Sequence, residues 1–218
     1  MFAMSVAISI EVDQKKGRSD MRIATLFSGI GSPEQGAKRV YREFETVFAC
    51  EFDKFARQSY EANYDIDPKH FHIDVNDLDA TQYKDQVDIL VWGFPCTSYS
   101  IAGLRKGMDD ERTGNLFHEG LRVLKECMPK YTIIENVKGL LSIDEGKTIR
   151  LILKDLTEAG YMLTMNVVNT KDVGGNTPQS RERVFIIGKR IKEAAELRNN
   201  FIDENCLSHI KSEVSDER

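Results

Sequence analysis

A cysteine, a glutamate and two arginines stand at positions where together they could perform nucleophilic chemistry. Cys96 ends the stretch GFPC, and Glu135 begins the stretch ENV with Asn136 beside it, each just after an apolar run. Arg181 and Arg183 are two positions apart, which places both on one face if their segment is extended. A thiolate attacks carbon, a carboxyl group transfers a proton, and a guanidinium stabilises negative charge. Taken alone, Cys96 could equally be a small buried residue, but the acid and the cations favour catalysis.

A second set of residues indicates a site for a nucleotide-like cofactor. Glycines between an apolar run and a helix-like stretch let a ligand approach the backbone and helix N-terminal amides, although a plain tight turn explains them equally well. Their spacing departs from GxGxxG, which argues against NAD. Glu51, after the second strand, could accept hydrogen bonds from both hydroxyls of a ribose, and Asp74, after the third, from an adenine amino group. The glycine stretch is FSGIG, made of Phe27, Ser28, Gly29, Ile30 and Gly31.

Short apolar runs alternate with amphipathic stretches, which is typical of βαβ units with helices on both faces of a sheet. The sequence therefore predicts an α/β protein with a doubly wound, mostly parallel sheet, in which ligands lie at the carboxyl ends of the strands. Cys127 shares a helical stripe with apolar residues, so a core position is expected. The strand and helix pairs are Ile23–Phe27 with Pro33–Tyr41, Val47–Glu51 with Asp53–Tyr64, Val87–Trp92 with Gly114–Cys127, and Tyr131–Glu135 with Glu145–Ala159, followed by strands Met162–Val168 and Val184–Gly188.

Composition fits one folded domain. The 218 residues are 41% hydrophobic and 30% charged, no apolar run approaches the ~20 residues that span a bilayer, and no signal peptide is recognisable, so a cytoplasmic protein is predicted. The four cysteines form no CxxC pair, and His70 and His72 are interpreted as surface residues instead of metal ligands. We expect an N-terminal extension over residues 1–20, a catalytic domain over 21–190, and a helix with a polar tail over 191–218.

Five features follow one another along the chain: FSGIG, an acid after the second strand, GFPC, ENV and QSRER. In this order they resemble the motifs of the DNA cytosine-5 methyltransferase family. The resemblance covers residues 22 to about 190. It implies a Rossmann-like sheet whose last strand is antiparallel, S-adenosyl-L-methionine (AdoMet) as the methyl donor, double-stranded DNA as the substrate, and no metal. The net charge of −5 runs against strong autonomous binding to DNA phosphates, which usually needs a basic face.

The resemblance also implies roles at the reacting base and around the cofactor. Cys96 would add to carbon 6 of cytosine and Glu135 would protonate or hydrogen-bond N3. Arg183, supported by Arg181, would hold O2, and Asn136 would order the loop. The cofactor site would include Phe27 on the adenine, Pro95 and Leu116 beside it, and the strand-end neighbours Phe52 and Val75.

The chain departs from the family pattern in two places. Thr97 stands where Gln is common, at the start of a stretch to Gly114 that would close over an extruded nucleotide. Only 28 residues follow Arg190, where family members carry a recognition region and a final helix on the cofactor side. We expect no sequence readout and an AdoMet pocket open on one side. A split enzyme completed by a second polypeptide is favoured over a truncated gene product or a compact enzyme with unusual recognition. A non-catalytic AdoMet-binding or DNA-associated module and an RNA cytosine-5 methyltransferase remain open.

Overall fold

The computed structural model describes residues 21–95, 116–173 and 178–191. Cys96, the stretch 97–114, the N-terminal extension and the stretch from residue 192 lie outside the described residues, so what the sequence predicts of them stays a prediction. Of the helices within the described ranges, none is long and apolar enough to cross a membrane. The strands are β1 (Met21–Leu26), β2 (Phe44–Cys50), β3 (Phe71–His72), β4 (Ile89–Trp92), β5 (Tyr131–Val137), β6 (Tyr161–Asn169) and β7 (Glu182–Arg190), and the helices are α1 (Ser32–Val40), α2 (Lys54–Asn63), α3 (Leu116–Cys127) and α4 (Lys147–Glu158).

The strand directions confirm the predicted fold class. The described strands form one sheet in the order β3-β2-β1-β4-β5-β7-β6. β1 pairs in parallel with β2 and β4, and β4 with β5, whereas β7 is antiparallel to both β5 and β6. The order reverses between β1 and β4, and ligands of such sheets bind in the crevice outside the strand ends at that point. We call this side of the sheet the carboxyl edge. Because β7 runs the opposite way, it begins at the carboxyl edge.

Helix α3 packs directly on the centre of the sheet. A Cβ added to Gly120 would lie 2.3 Å from the ring of Trp92, so only glycine allows the helix to come this close. The Trp92 indole Nε1 donates to Thr132 Oγ1 at 2.9 Å and ties β4 to β5 inside the core. Cys127 is fully buried, which confirms its predicted core position, and burial raises the pKa of its thiol to about 12. This thiol is therefore un-ionised and unreactive at neutral pH.

An ion cluster around Asp88 lies on the side of the sheet opposite to the carboxyl edge, where β1, β4 and β5 begin. The Asp88 carboxylate is buried, and it lies 3.3 Å from Arg22 Nε and 2.6 Å from Lys130 Nζ. Burial disfavours the charged carboxylate, but hydrogen bonds from Lys130 and Arg22 outweigh it, and the pKa of Asp88 is lowered. The Asp88 cluster joins the starts of β1, β4 and β5, whose other ends lie at the carboxyl edge.

Candidate active site

The stretch from Phe27 to Gly31 forms a tight turn between β1 and α1. Phe27, Gly29 and Gly31 have positive φ angles of 54°, 57° and 90°. Gly31 is the N-cap of α1, and its carbonyl oxygen accepts the Tyr64 hydroxyl at 2.7 Å. A Cβ on Gly31 would lie 2.1 Å from the Tyr64 ring, so no other residue fits there. The turn thus presents an open backbone at the carboxyl edge.

Glu51 directly follows β2, and backbone amides fix its carboxylate. Oε2 accepts from the Gly29 N–H at 2.7 Å, and Oε1 accepts from the Asp53 N–H at 2.8 Å. Ser28 is buried and holds the turn against β2, since its hydroxyl donates to the Cys50 carbonyl at 3.1 Å. A carboxylate oxygen can accept more than one hydrogen bond, so Glu51 can still take up two ribose hydroxyls. The geometry suits the predicted role in cofactor binding.

Apolar side chains are exposed around this carboxylate. Ile30 and Phe52 are 58% and 69% exposed, and Ile73, after β3, is 55% exposed. Phe27 is half-buried and packs against the main core. Exposed apolar groups beside convergent hydrogen-bonding groups are typical of the sites that bind a flat aromatic ligand such as adenine.

The other predicted cofactor residues differ in exposure. Asp74 is half-buried, and its Oδ1 accepts from the backbone and side-chain N–H groups of Asn76 at 2.9 and 2.7 Å. The Val75 side chain is buried in the main core, Leu116 is half-buried against the same core, and Pro95 is exposed. Val75 therefore supports the site from beneath, whereas Asp74 offers a polar group at its surface.

Glu135 and Arg183 form an ion pair at the carboxyl edge. Arg183 Nε lies 3.0 Å from Glu135 Oε1, and the two side chains are 20% and 37% exposed. In the sheet ladders Arg183 is held between Val137 of β5 and Val168 of β6. Because β7 begins where β5 ends, an arginine far along the chain reaches this glutamate. The sheet therefore brings together an acid and a cation that were predicted to act on the same base.

Gly93 allows Glu135 to lie against the segment that leads to Cys96. A Cβ on Gly93 would be 3.2 Å from both the backbone oxygen and the Oε2 of Glu135. Contacts this short would force the glutamate to move. Sequence reasoning gave Gly93 no role, although a glycine at the end of a buried strand is a known signal of close approach by another group. Cys96 itself lies just beyond the described residues.

Asn136 joins the ends of β4 and β5. Its buried side chain donates through Nδ2 to the Phe94 carbonyl at 3.0 Å, and its Oδ1 accepts from the Val137 N–H at 2.8 Å. Both ends of the amide are therefore used inside the protein, and a carboxylate could not make both bonds. Asn136 therefore fixes the segment after β4 against the end of β5, and its predicted loop-ordering role stays a prediction.

Arg181 is exposed and lies just before β7. Its backbone N–H donates to Asn169 Oδ1 at 3.1 Å, and its carbonyl accepts from the Thr170 N–H at 3.1 Å. Asn169 also donates through Nδ2 to Ser180 Oγ at 2.9 Å. Asn169, which sequence reasoning missed, thus anchors the segment that enters β7. No feature of the sequence singles it out, because its partners come from a later segment.

The strand order and directions define a Rossmann-like α/β fold, and solved structures agree. The chain superposes on the Dnmt2 methyltransferase of S. pombe with a TM-score of 0.59 at 22% identity, covering 80% of this chain and 51% of that one. It superposes on the DNMT2 of Spodoptera frugiperda with a TM-score of 0.62 at 23% identity, covering 78% and 50%. At this identity the likeness shows the fold alone.

The chain belongs to the C-5 cytosine-specific DNA methylase family, whose model matches residues 21–216. It is 41% identical over 170 residues to the type II methyltransferase M.Bsp6I of Bacillus sp. (strain RFL6), which covers 78% of this chain and 52% of that protein. It is 43% identical over 163 residues to the type II methyltransferase M.NgoBI of Neisseria gonorrhoeae, covering 75% and 49%. The chain thus spans about half the length of these two relatives.

Proposed function

We propose that this protein transfers a methyl group from AdoMet to carbon 5 of cytosine in double-stranded DNA, with Cys96 as the nucleophile. The observation that carries the proposal is the Glu135–Arg183 ion pair, which lies beside Gly93 on the segment leading to Cys96. An acid and a guanidinium at one point of the carboxyl edge are the groups that suit N3 and O2 of a cytosine ring. Membership of the family supports the reaction type and the DNA substrate.

Carbon 5 of cytosine is a poor nucleophile, so the ring must be activated before it accepts a methyl group. Addition of the Cys96 thiolate to carbon 6 shifts an electron pair towards carbon 5, which then takes the methyl group. A base removes the proton from carbon 5, the double bond between carbons 5 and 6 re-forms, and the thiolate leaves. The cysteine is thereby returned unchanged.

Glu135 and Arg183 would lower the barrier to thiolate addition. A proton or hydrogen bond from Glu135 to N3 withdraws electron density from the ring. Arg183 at O2 stabilises the negative charge that accumulates there. The Arg183 guanidinium contacts Glu135 through Nε, and one of its terminal nitrogens donates to the Glu182 carbonyl at 2.7 Å. Its other terminal nitrogen can then donate to O2 of the base. The mutual contact of the two side chains also keeps both in place before the base arrives.

Glu51, Phe52 and Asp74 would hold AdoMet at the ends of β2 and β3. AdoMet supplies the methyl group on a positively charged sulfur when it is bound. Glu51, oriented by the amides of Gly29 and Asp53, would accept hydrogen bonds from the ribose hydroxyls. Phe27 would pack on the adenine ring with Phe52 beside it, and Asp74 would accept from the adenine amino group. The exposed position of Phe52 supports this assignment.

The target cytosine has to leave the duplex to reach these groups, because its reacting atoms are stacked in double-stranded DNA. The second polypeptide predicted from the sequence, and the cytoplasmic location, stay predictions. The non-catalytic alternative gains no support from the site, since a binding module has no use for a paired acid and arginine beside a cysteine segment.

A covalent trap tests the proposed nucleophile. Duplexes carrying 5-fluorocytosine at every cytosine are incubated with the purified protein and AdoMet, so that no recognition sequence needs to be known. The fluorine blocks the last proton removal, and a protein–DNA adduct that survives denaturation is expected. Cys96→Ser should abolish the adduct and leave AdoMet affinity nearly unchanged, because the thiolate acts on the base.

Cys127→Ala is the matched control, since the Cys127 thiol is buried in α3 and has a raised pKa. This variant should still form the adduct. An adduct that persists in Cys96→Ser would remove Cys96 from the nucleophile role. An adduct that is lost only in Cys127→Ala would assign that role to Cys127.

A further inference from the structure

Glu34 is a fully buried acid of α1 that the proposed reaction does not use. Its Oε1 accepts hydrogen bonds from the Thr25 and Tyr60 hydroxyls, both at 2.8 Å. Its Oε2 is also buried and accepts no hydrogen bond from the residues that the structure describes. An unpartnered buried polar atom lowers stability, so its retention at this point of the fold calls for a reason.

One chain of contacts runs from Glu34 to the beginning of the tight turn. Thr25, which donates to Glu34, has its Oγ1 2.7 Å from Ser28 Oγ. The same Ser28 oxygen accepts from the Cys50 N–H at 3.2 Å, so β1, β2 and the turn meet at one hydroxyl group. Ser28 is followed by Gly29, whose N–H donates to Glu51 at 2.7 Å.

A second chain of contacts runs from Glu34 to the end of the same turn. The Tyr60 ring, whose hydroxyl is held by Glu34, packs on the Tyr64 ring with 4.9 Å between centroids. The Tyr64 hydroxyl then donates to the Gly31 carbonyl at 2.7 Å. The residues on both sides of Gly29 are therefore linked to the one carboxyl group of Glu34.

We propose that Glu34 is a positioning residue for the cofactor. Glu34 fixes the tight turn from both sides, so that the Gly29 N–H meets the Glu51 carboxylate. The inference rests on AdoMet as the ligand of this edge, and it adds a residue that contacts neither AdoMet nor DNA. Glu34 acts through the turn and through Glu51.

The chemistry of Glu34 predicts which side chain can replace it. Burial raises the pKa of the Glu34 carboxyl group, and hydrogen bonds from Thr25 and Tyr60 oppose this effect without cancelling it. An amide keeps the shape of the carboxyl group and one accepting oxygen, and it carries no charge that burial would penalise. Gln should therefore keep the turn in place, whereas Ala removes the acceptor of both hydroxyls.

AdoMet binding to the full chain, measured by calorimetry, is the first test. Glu34→Ala should raise the dissociation constant about tenfold, as expected when the order given by two hydrogen bonds is lost, and Glu34→Gln should stay within about threefold of the wild type. Asp88→Asn is the control, because Asp88 is also a buried acid but lies at the opposite edge of the sheet. This control should lower the melting temperature without changing the dissociation constant.

Hydrogen exchange of the Gly29 amide, measured without AdoMet, is the second test. In the Glu34→Ala protein the Gly29 amide should exchange faster, relative to core amides of the same sample, than in the wild type. In the Glu34→Gln and Asp88→Asn proteins its exchange rate should not change. If Glu34→Ala does not fold, Tyr60→Phe removes one donor to Glu34 while keeping the ring, and a smaller change of the same sign is expected.

The outcomes separate this inference from the proposed function. A wild-type protein that does not bind AdoMet would remove the cofactor assignment, while the exchange rates would still decide whether Glu34 orders the turn. Wild-type affinity and wild-type Gly29 exchange in Glu34→Ala would overturn the inference. So would a Glu34→Gln protein that binds as weakly as Glu34→Ala, because the charge would then be the essential property.

Discussion

Arg183 meets Glu135 diagonally across the ladder between β7 and β5. Arg183 lies opposite Val137, and Glu135 lies opposite Phe185, yet Arg183 Nε is 3.0 Å from Glu135 Oε1. Diagonal neighbours on one face of a sheet are within reach of long side chains. The strand register therefore decides that this arginine, and no other residue of β7, pairs with the acid.

Glu135→Gln should lower the single-turnover rate of methyl transfer by roughly 100-fold or more, because an amide cannot protonate N3. AdoMet affinity should not change, since the Glu135 side chain lies at the ends of β4 and β5 and not at Glu51. The control is Glu158→Gln, which alters an exposed acid paired with Lys154 at 3.6 Å on α4. An unchanged rate in Glu135→Gln would exclude this acid from the chemistry.

Gly93→Ala should lower the turnover rate by about threefold to tenfold, because the added methyl group displaces Glu135 by a few tenths of an ångström, and even a small misplacement of a reacting group slows the reaction. The added methyl group would lie 3.2 Å from Glu135 Oε2. Gly139→Ala is the matched control, because no atom of the described residues lies within 4 Å of a Cβ at Gly139. A Gly93→Ala protein with the wild-type rate would show that the carboxylate can shift without loss.

Glu51→Ala should weaken AdoMet binding by about 1–3 kcal/mol, the range for charge-assisted hydrogen bonds. The loss has two parts, because the ribose hydroxyls lose their acceptor and the Gly29 N–H loses its partner. Calorimetry on the purified chain measures the change. Glu61→Ala, an exposed position on α2, should bind AdoMet as the wild type does. Equal affinity in both variants would place the ribose site elsewhere.

Stability should fall as the pH is lowered below the ordinary histidine value, because His72 is held in its neutral form. His70 Nδ1 and His72 Nε2 each lie 2.9 Å from the Tyr83 hydroxyl. Burial, and then the charge of His70, lower the pKa of His72. Because the pKa of His72 is lower in the folded state than in the unfolded state, its contribution to stability is fully present above pH ~6.5. That contribution is lost as the pH falls through the folded-state pKa.

Urea unfolding at pH 7.5 and 5.5 measures this loss. His72→Gln should lose less stability between the two pH values than the wild type, and His118→Gln, at an exposed position of α3, should lose as much as the wild type. An identical loss in His72→Gln and the wild type would assign the acid sensitivity to other groups.

The sequence predicted the sheet and several site positions because these follow from periodicity. Alternating strands and helices imply parallel strands, and parallel strands bring the residues after β2 and β5, Glu51 and Glu135, to one edge. The sequence also placed the last strand antiparallel, through the family resemblance. The order β5-β7-β6, which inserts β7 between its neighbours, depends on pairing between distant segments and was not visible in any local pattern.

Contacts between side chains of different elements were missed for the same reason. His70 and His72 were interpreted as surface residues, but both are half-buried, because Tyr83 packs against them from a later segment. Gly93 lies in the GFPC stretch and Glu34 in the first helix-like stretch, and the sequence alone assigned a role to neither. Their importance depends on what lies against them, the Glu135 carboxylate in one case and the Tyr60 hydroxyl in the other.

The Asp88 cluster suggests a route to conditional alleles. Arg22, Asp88 and Lys130 hold the starts of β1, β4 and β5, and none of them is close in the fold to the far strand ends where the reacting groups lie. A weakened cluster should shorten the lifetime of the folded protein on warming but leave its chemistry intact at lower temperature. Under the proposed function, the Lys130→Met protein would transfer methyl groups normally in the cold and lose this activity when warmed, so methylation could be switched off by temperature alone.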